Sequence, residues 1–271
     1  RGLWRQLPRW MRGRLPLRLV LTQALACLPS GSSQASSSPS MDSFQIRAFS
    51  TCPMALSGRP LQVVNTPPSG KHVASVVFLH GSGDTGPGIQ TWVHSELPTF
   101  GFKGVNVVFP TAHQRPYSML GPHGLQNVWF DRKGLWPEAD EDVDGIDTMA
   151  KLVRQVIDGE VDKGIPLSKI VLGGFSMGGG QSLHTAIGDP ELAEKLAGVF
   201  VLSSFLQDTT VTTGRAKKLP RVPPMLQCHG DSDRMIKVEW GRDSHRRMAE
   251  ATGGGAGGGG PGGGKIFLPP P

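Results

Sequence analysis

The chain has 271 residues, a formal charge of +6 and three cysteines. That length suits one large α/β domain with a full core, and three cysteines (Cys27, Cys52, Cys228) give no disulfide framework, which favours a reducing, cytoplasmic setting. The charge is concentrated: residues 1–40 carry six arginines and no acid, so the other 22 basic residues are matched by the 22 acidic ones, and the body has no electrostatic footprint for nucleic acid.

The head, residues 1–54, is Arg-rich, then apolar from Leu15 to Leu28, then Ser-rich from Ser30 to Ser40. Three readings stay open. It is a mitochondrial presequence, a secretory signal, or untranslated sequence joined to the reading frame. The third is favoured, because Arg18 interrupts the apolar run and the run is too short to span a bilayer.

Residues 55–252 read as alternating strand and helix. Apolar runs at Ser75–Leu79, Val105–Pro110, Lys169–Gly173, Gly198–Ser203 and Met225–His229 suit buried parallel strands. Ile146, Met149, Ala150, Val153, Val156, Ile157 and Val161 share one face of a helix, with Gly164 as its C-terminal cap and Pro166 beyond. A helix is expected after residue 176, a short one at 191–196 and another at 238–251. This alternation implies a mostly parallel sheet covered on both faces. The stretch 111–145 is loop-rich. Residues 253–264 are Gly except for Ala256 and Pro261, so 253–271 reads as a flexible tail without a core. Its last seven residues are too few for a strand plus a helix.

The most informative stretch is Gly173-Gly174-Phe175-Ser176-Met177-Gly178-Gly179. Gly174, Ser176 and Gly178 spell Gly-x-Ser-x-Gly after an apolar strand and before a helix. That is the setting of a nucleophile elbow, in which side chains at Gly174 or Gly178 would collide with the neighbouring strand or helix. Two other pieces line up with it in chain order, one before and one after. A glycine-rich turn, His80-Gly81-Ser82-Gly83-Asp84, ends the first strand, where one oxyanion-hole amide is expected at Ser82, the other coming from Met177. The fifth strand ends in His229-Gly230-Asp231-Ser232-Asp233. There Asp233 is the candidate triad acid, with Asp231 read as a turn-former.

The strings Phe78–Gly86, Trp129-Phe130-Asp131, Gly173–Gly179 and Gln227–Asp231 resemble the acyl-protein thioesterase and lysophospholipase family over roughly residues 55–250. The resemblance implies an α/β-hydrolase fold without a large cap; separately, no Cys/His cluster has metal-ligand spacing, and neither metal nor cofactor is expected. It implies serine esterase or thioesterase chemistry on acyl groups, with palmitoylated proteins or small acyl esters as partners and transient contact with a membrane surface. It assigns Ser176 as nucleophile, Asp233 as acid, and the Ser82 and Met177 amides to the oxyanion hole.

The departure from that family is a histidine. In the family the triad histidine lies one helix and one strand beyond the acid, whereas only His245 follows Asp233 here, in the middle of a predicted helix. The expectation is a chain that lacks the last strand and helix of the fold together with the base. Three functions therefore compete: an acyl-protein thioesterase, a small-ester carboxylesterase on the same machinery, and an acyl-binding protein with impaired turnover. Other motifs have plain readings. His80 and His229 shape turns, Asp84 caps a turn, Met149 fills the core, and Trp129-Phe130-Asp131 packs under the loop, with Asp131 satisfying backbone donors, or else lines the acyl groove. Neither a phosphate loop nor a complete dinucleotide fingerprint is present.

Overall fold

The computed structural model describes residues 58–98, 100–121, 123–253 and 265–267. The readings of the head and of residues 254–264 and 268–271 lie outside the described residues. Seven strands form one sheet: β1 (Gln62–Thr66), β2 (Ser69–Leu79), β3 (Lys103–Thr111), β6 (Ile170–Phe175), β7 (Gly198–Leu202), β8 (Met225–Cys228) and β9 (Lys265–Phe267), in the spatial order β1-β3-β2-β6-β7-β8-β9. Only β1 runs antiparallel to its neighbour. All five strands expected from the sequence are present, and the sheet extends past them at both edges. β9 corrects the expectation of a missing last strand: its three residues pair in parallel with Leu226–Cys228.

Each central strand is buried on both faces, so its side chains alternate between two cores. Val76, Phe78, Val107, Phe109, Val171, Phe200 and Leu202 point to one side, where Ile89 and Val93 of α1 (Gly86–Glu96) cover them. Val77, Leu79, Val108, Leu172, Val199 and Val201 point to the other side. They pack there with α2 (Val143–Val161), α3 (Met177–Gly188), α4 (Pro190–Lys195) and α6 (Val238–Ala251). A sixth short helix, α5, spans Val211–Ala216.

α2 follows its sequence pattern. The Asp142 carboxylate accepts the Gly145 N–H at 3.0 Å as the N-terminal cap; Ile146, Met149, Leu152, Val153 and Ile157 are buried, and Gly164 just beyond has φ +87°. Its last turn is tied to the sheet by Glu160. This buried carboxylate accepts from Ser75 Oγ at 2.5 Å, Asn106 Nδ2 at 3.1 Å and Lys163 Nζ at 2.6 Å. Burial pushes the Glu160 carboxyl up, but the bonds from Lys163, Ser75 and Asn106 together hold it below its ordinary value. Removing one donor leaves a desolvated charge short of a partner. Ser75→Ala is therefore expected to cost about 2 kcal/mol, read as a lower urea midpoint at unchanged m-value.

The stretch read as loop, 111–145, contains a small ribbon instead. β4 (Gln114–Pro116) pairs antiparallel with β5 (Leu125–Asn127), folding residues 114–127 back as a hairpin. Its strands are too short and too polar for periodicity to reveal them.

Candidate active site

Parallel pairing sets the carboxyl ends of the central strands side by side. Leu79 is opposite Gly174, Phe175 opposite Leu202, and Leu202 opposite Cys228. The segments that leave those ends are 80–85, 176–177, 203–204 and 229–233, so the expected site residues converge on one edge of the sheet.

Ser176 sits at the corner between β6 and α3 with φ 53° and ψ −122°. Such a backbone costs on the order of 1–3 kcal/mol for a residue with a Cβ. It is held by three bonds: the Ser176 N–H donates to Leu202 O at 2.8 Å, and Ser176 O accepts from Gly179 and Gly180 N–H at 2.9 and 3.3 Å. Close approach does the rest. A Cβ at Gly174 would lie 2.5 Å from Gly178 C, and one at Gly178 would lie 2.5 Å from both Leu79 O and His80 O. The two glycines let α3 start against the end of β2, as the motif predicts. Among the described residues the Ser176 hydroxyl has no hydrogen-bond partner, and α3 begins with no side-chain cap and no acidic residue in its first turn. The positive end of the helix is thus left for an anion.

The loop after β2 lies beside this corner. A Cβ built on Gly81 would be 3.5 Å from Ser176 Cβ, and Ser82 Oγ is 3.7 Å from Met177 Sδ. The loop is pinned by Gly83 N–H to Asn127 O at 2.9 Å and Asp84 N–H to Gly81 O at 3.2 Å. Among the described residues neither the Ser82 nor the Met177 amide N–H is engaged. Beyond β8, Asp233 turns inward, its side chain 5% exposed, while Asp231 is exposed. Asp233 Oδ1 accepts from Met235 and Ile236 N–H at 2.9 and 3.0 Å, so Asp233, not Asp231, forms this turn. Asp231 accepts only the neighbouring Ser232 hydroxyl at 3.0 Å. Asp233 Oδ2 lies 3.8 Å from His229 Nε2.

Sequence comparison gives these positions a family. Residues 61–254 match the Phospholipase/Carboxylesterase family, an α/β-hydrolase group. The chain belongs to that family. Lysophospholipase-like protein 1 of Mus musculus is 39% identical over 184 residues, which cover 67% of this chain and 75% of the mouse protein. Acyl-protein thioesterase 1 homolog 2 of Dictyostelium discoideum is 33% identical over 176 residues, 65% of this chain and 77% of that one. Among solved structures, Zea mays acyl-protein thioesterase 2 superposes with a TM-score of 0.62 at 25% identity, covering 76% of this chain and 89% of the maize one. Family membership makes the chain a hydrolase of the esterase and thioesterase type with the α/β-hydrolase fold. No helix among its described residues is long and apolar enough to cross a membrane.

The hydrolase's other motifs hold the site in place. His80 is fully buried; its Nε2 accepts the Ala112 N–H at 3.0 Å, so its Nδ1 carries the proton that goes to Gly81 O at 2.6 Å. Burial drives its pKa down to about 4, more than the Gly81 bond raises it. This imidazole fixes the turn and stays neutral. Trp129 is buried and donates from Nε1 to His80 O at 2.8 Å, while Asp131 accepts from the Ser118 amide at 2.7 Å and the Ser118 hydroxyl at 2.5 Å. His229 donates to Ile236 O at 2.8 Å, and burial lowers its pKa. The bland readings of these motifs match their contacts.

Asp84 bonds a backbone amide at this turn, that of Thr85. Thr85, not Asp84, caps α1, its Oγ1 accepting from Gly88 N–H at 3.1 Å. The Asp84 carboxyl is partly buried, its Oδ2 has no partner among the described residues, and burial pushes its pKa up to about 6 against a weaker opposing bond from the Thr85 backbone. The folded state thus holds the Asp84 proton more tightly than the unfolded chain, so its stabilising contribution is complete below about pH 4 and is lost as pH rises through 6. Asp84→Asn should therefore gain on the parent in Tm between pH 4 and pH 7, as measured by calorimetry across that range.

One residue of this edge was not singled out from the sequence. Tyr117, the only tyrosine of the chain, is buried where the hairpin's strands enter their connecting turn and accepts from Ser82 Oγ at 3.1 Å. Its uniqueness was visible; its place was not, because the ribbon that carries it was invisible.

Proposed function

We propose that Ser176 is the nucleophile of a serine esterase and thioesterase that works through an acyl-enzyme. Its hydroxyl attacks the acyl carbonyl, the thiol or alcohol leaves with a proton, and water then releases the acid. The Ser82 and Met177 amides donate to the oxygen that becomes charged, and Asp233 is the acid that would orient a catalytic imidazole. The observation that carries this reading is the strained corner at Ser176, φ 53°, beside two unengaged amides. Among the described residues Ser203, just beyond β7, is the other non-glycine with positive φ (46°), but it is buried, whereas Ser176 is only half-buried at the elbow, as a nucleophile requires.

The proposed substrates are acyl thioesters and esters, palmitoylated proteins among them. Exposed Met119, Leu120 and Leu125 on the hairpin next to Ser82 support an apolar acyl group or a lipid surface at this edge. Three cysteines in 271 residues, with no disulfide framework in their spacing, support a reducing cytoplasmic setting. The test is a fluorophosphonate probe followed by peptide mapping, then hydrolysis of short and long acyl thioesters. Label on Ser176 with turnover of both lengths supports the thioesterase; turnover of short chains alone favours the small-ester carboxylesterase.

A second reading rests on the histidines. His80 and His229 are committed to backbone partners, and His245, which alone follows Asp233 within these 271 residues, lies mid-helix in α6. In that reading the chain binds acyl groups and turns them over near background. Hydrolysis that is lost in Ser176→Ala rejects it.

A further inference from the structure

The oxyanion-hole proposal uses only the amide of Ser82. Its side chain is placed for a task of its own. Ser82 Oγ lies 3.1 Å from Tyr117 Oη and 3.7 Å from Met177 Sδ, on the loop that abuts Ser176. Tyr117 is 6% exposed, too enclosed to meet a substrate itself, and its own hydroxyl lies 3.2 Å from Met119 Sδ. The three groups form a short chain: Ser82 O–H to Tyr117 Oη, and Tyr117 O–H to a thioether. A thioether is a weak acceptor, so the chain loses little by turning round. Reversed, Tyr117 O–H donates to Ser82 Oγ, and the Ser82 hydroxyl is free to donate outward.

Resting on the Ser176 reading above, we propose that the Ser82 hydroxyl is a third donor to the substrate oxygen that gains charge during acyl transfer. Tyr117 is the positioning residue behind it. In the resting protein the relay points at Met119. When an oxygen bearing negative charge sits by the Ser82 and Met177 amides, the relay reverses and a hydroxyl replaces the thioether contact with a charge-assisted bond. A donor that is itself hydrogen-bonded from behind is polarised and stronger. No proton changes owner; two hydroxyl rotors turn.

The experiment follows the rate of Ser176 phosphonylation by a fluorophosphonate in the full chain, in Ser82→Ala, Ser82→Thr, Tyr117→Phe and the Ala/Phe double variant. Folding is checked by Tm. Ser82→Ala should slow labelling by about 10²-fold and Tyr117→Phe by about 10-fold, while Ser82→Thr, which keeps a hydroxyl, should label faster than Ser82→Ala. Because both residues serve one relay, the double variant should be no slower than Ser82→Ala. The single tyrosine adds a spectroscopic check: with Cζ-labelled tyrosine, its one carbon resonance should move when the phosphonate adduct forms in the parent and stay put in Ser82→Ala. Brisk labelling of Ser82→Ala, or an adduct that leaves the tyrosine resonance unmoved, overturns the relay and spares the Ser176 assignment. A folded parent that does not label at Ser176 overturns the assignment and the relay together.

Discussion

Ser176→Ala should remain folded, take no fluorophosphonate label at position 176, and hydrolyse acyl esters at least about 10³-fold more slowly than the parent. The size follows from what is removed. Without the hydroxyl no acyl-enzyme forms, and only the amide donors are left to favour direct attack by water. Alanine keeps the Cβ, so the left-handed backbone at φ 53° stays as costly as before and Tm should hardly change. Glycine at the same position gives the complementary result. It adopts this backbone without a Cβ clash, so Ser176→Gly should lose the label and yet be more stable, by about 1 kcal/mol. Scanning calorimetry alongside labelling separates the two. A folded Ser176→Ala that still carries label and full turnover would place the nucleophile elsewhere.

Legibility followed physical type. The five buried strands were readable because burial on both faces demands unbroken apolar runs, as in Val76-Val77-Phe78-Leu79. α2 and α6 were readable because their buried faces recur at helical spacing. Besides α5 and β9, three elements escaped. α1 has one buried edge, Ile89 and Val93, inside a Gly- and Pro-bearing stretch that reads as a turn. β1 is an edge strand, with only Thr66 buried, so it carries no apolar run. The hairpin is set by backbone pairing between polar residues. At the site, the residues bound by a local steric rule were legible: glycines at 174 and 178 announce a close approach, and the close approach is there. The relation of Tyr117 to Ser82 spans 35 residues and depends on the fold of that hairpin, so no local pattern encodes it. Asp231 and Asp233 show the same limit on a smaller scale. Both are acids two residues apart, and only the turn decides that Asp233 folds inward.

Gly178→Ala tests whether those glycines work as argued. The added methyl would stand 2.5 Å from Leu79 O and His80 O and 2.7 Å from Leu79 C. These are backbone atoms at the end of a central strand, with no flexible side chain to swing aside. Either α3 lifts off the sheet or the 80–83 loop moves outward. The expected cost is about 3 kcal/mol, the upper part of the range for overpacking. Activity should suffer more than stability alone explains, because the same shift pulls the Ser82 amide from Ser176; a misplacement near 1 Å costs about 10²-fold in rate. Labelling measured where the variant is still fully folded isolates that second effect. Gly159→Ala on α2 is the control. Nothing lies within 4 Å of a Cβ there, so this helical glycine should accept the methyl and gain up to about 1 kcal/mol. The same substitution in one fold thus has opposite signs, set by whether a strand's carbonyls stand where the methyl must go.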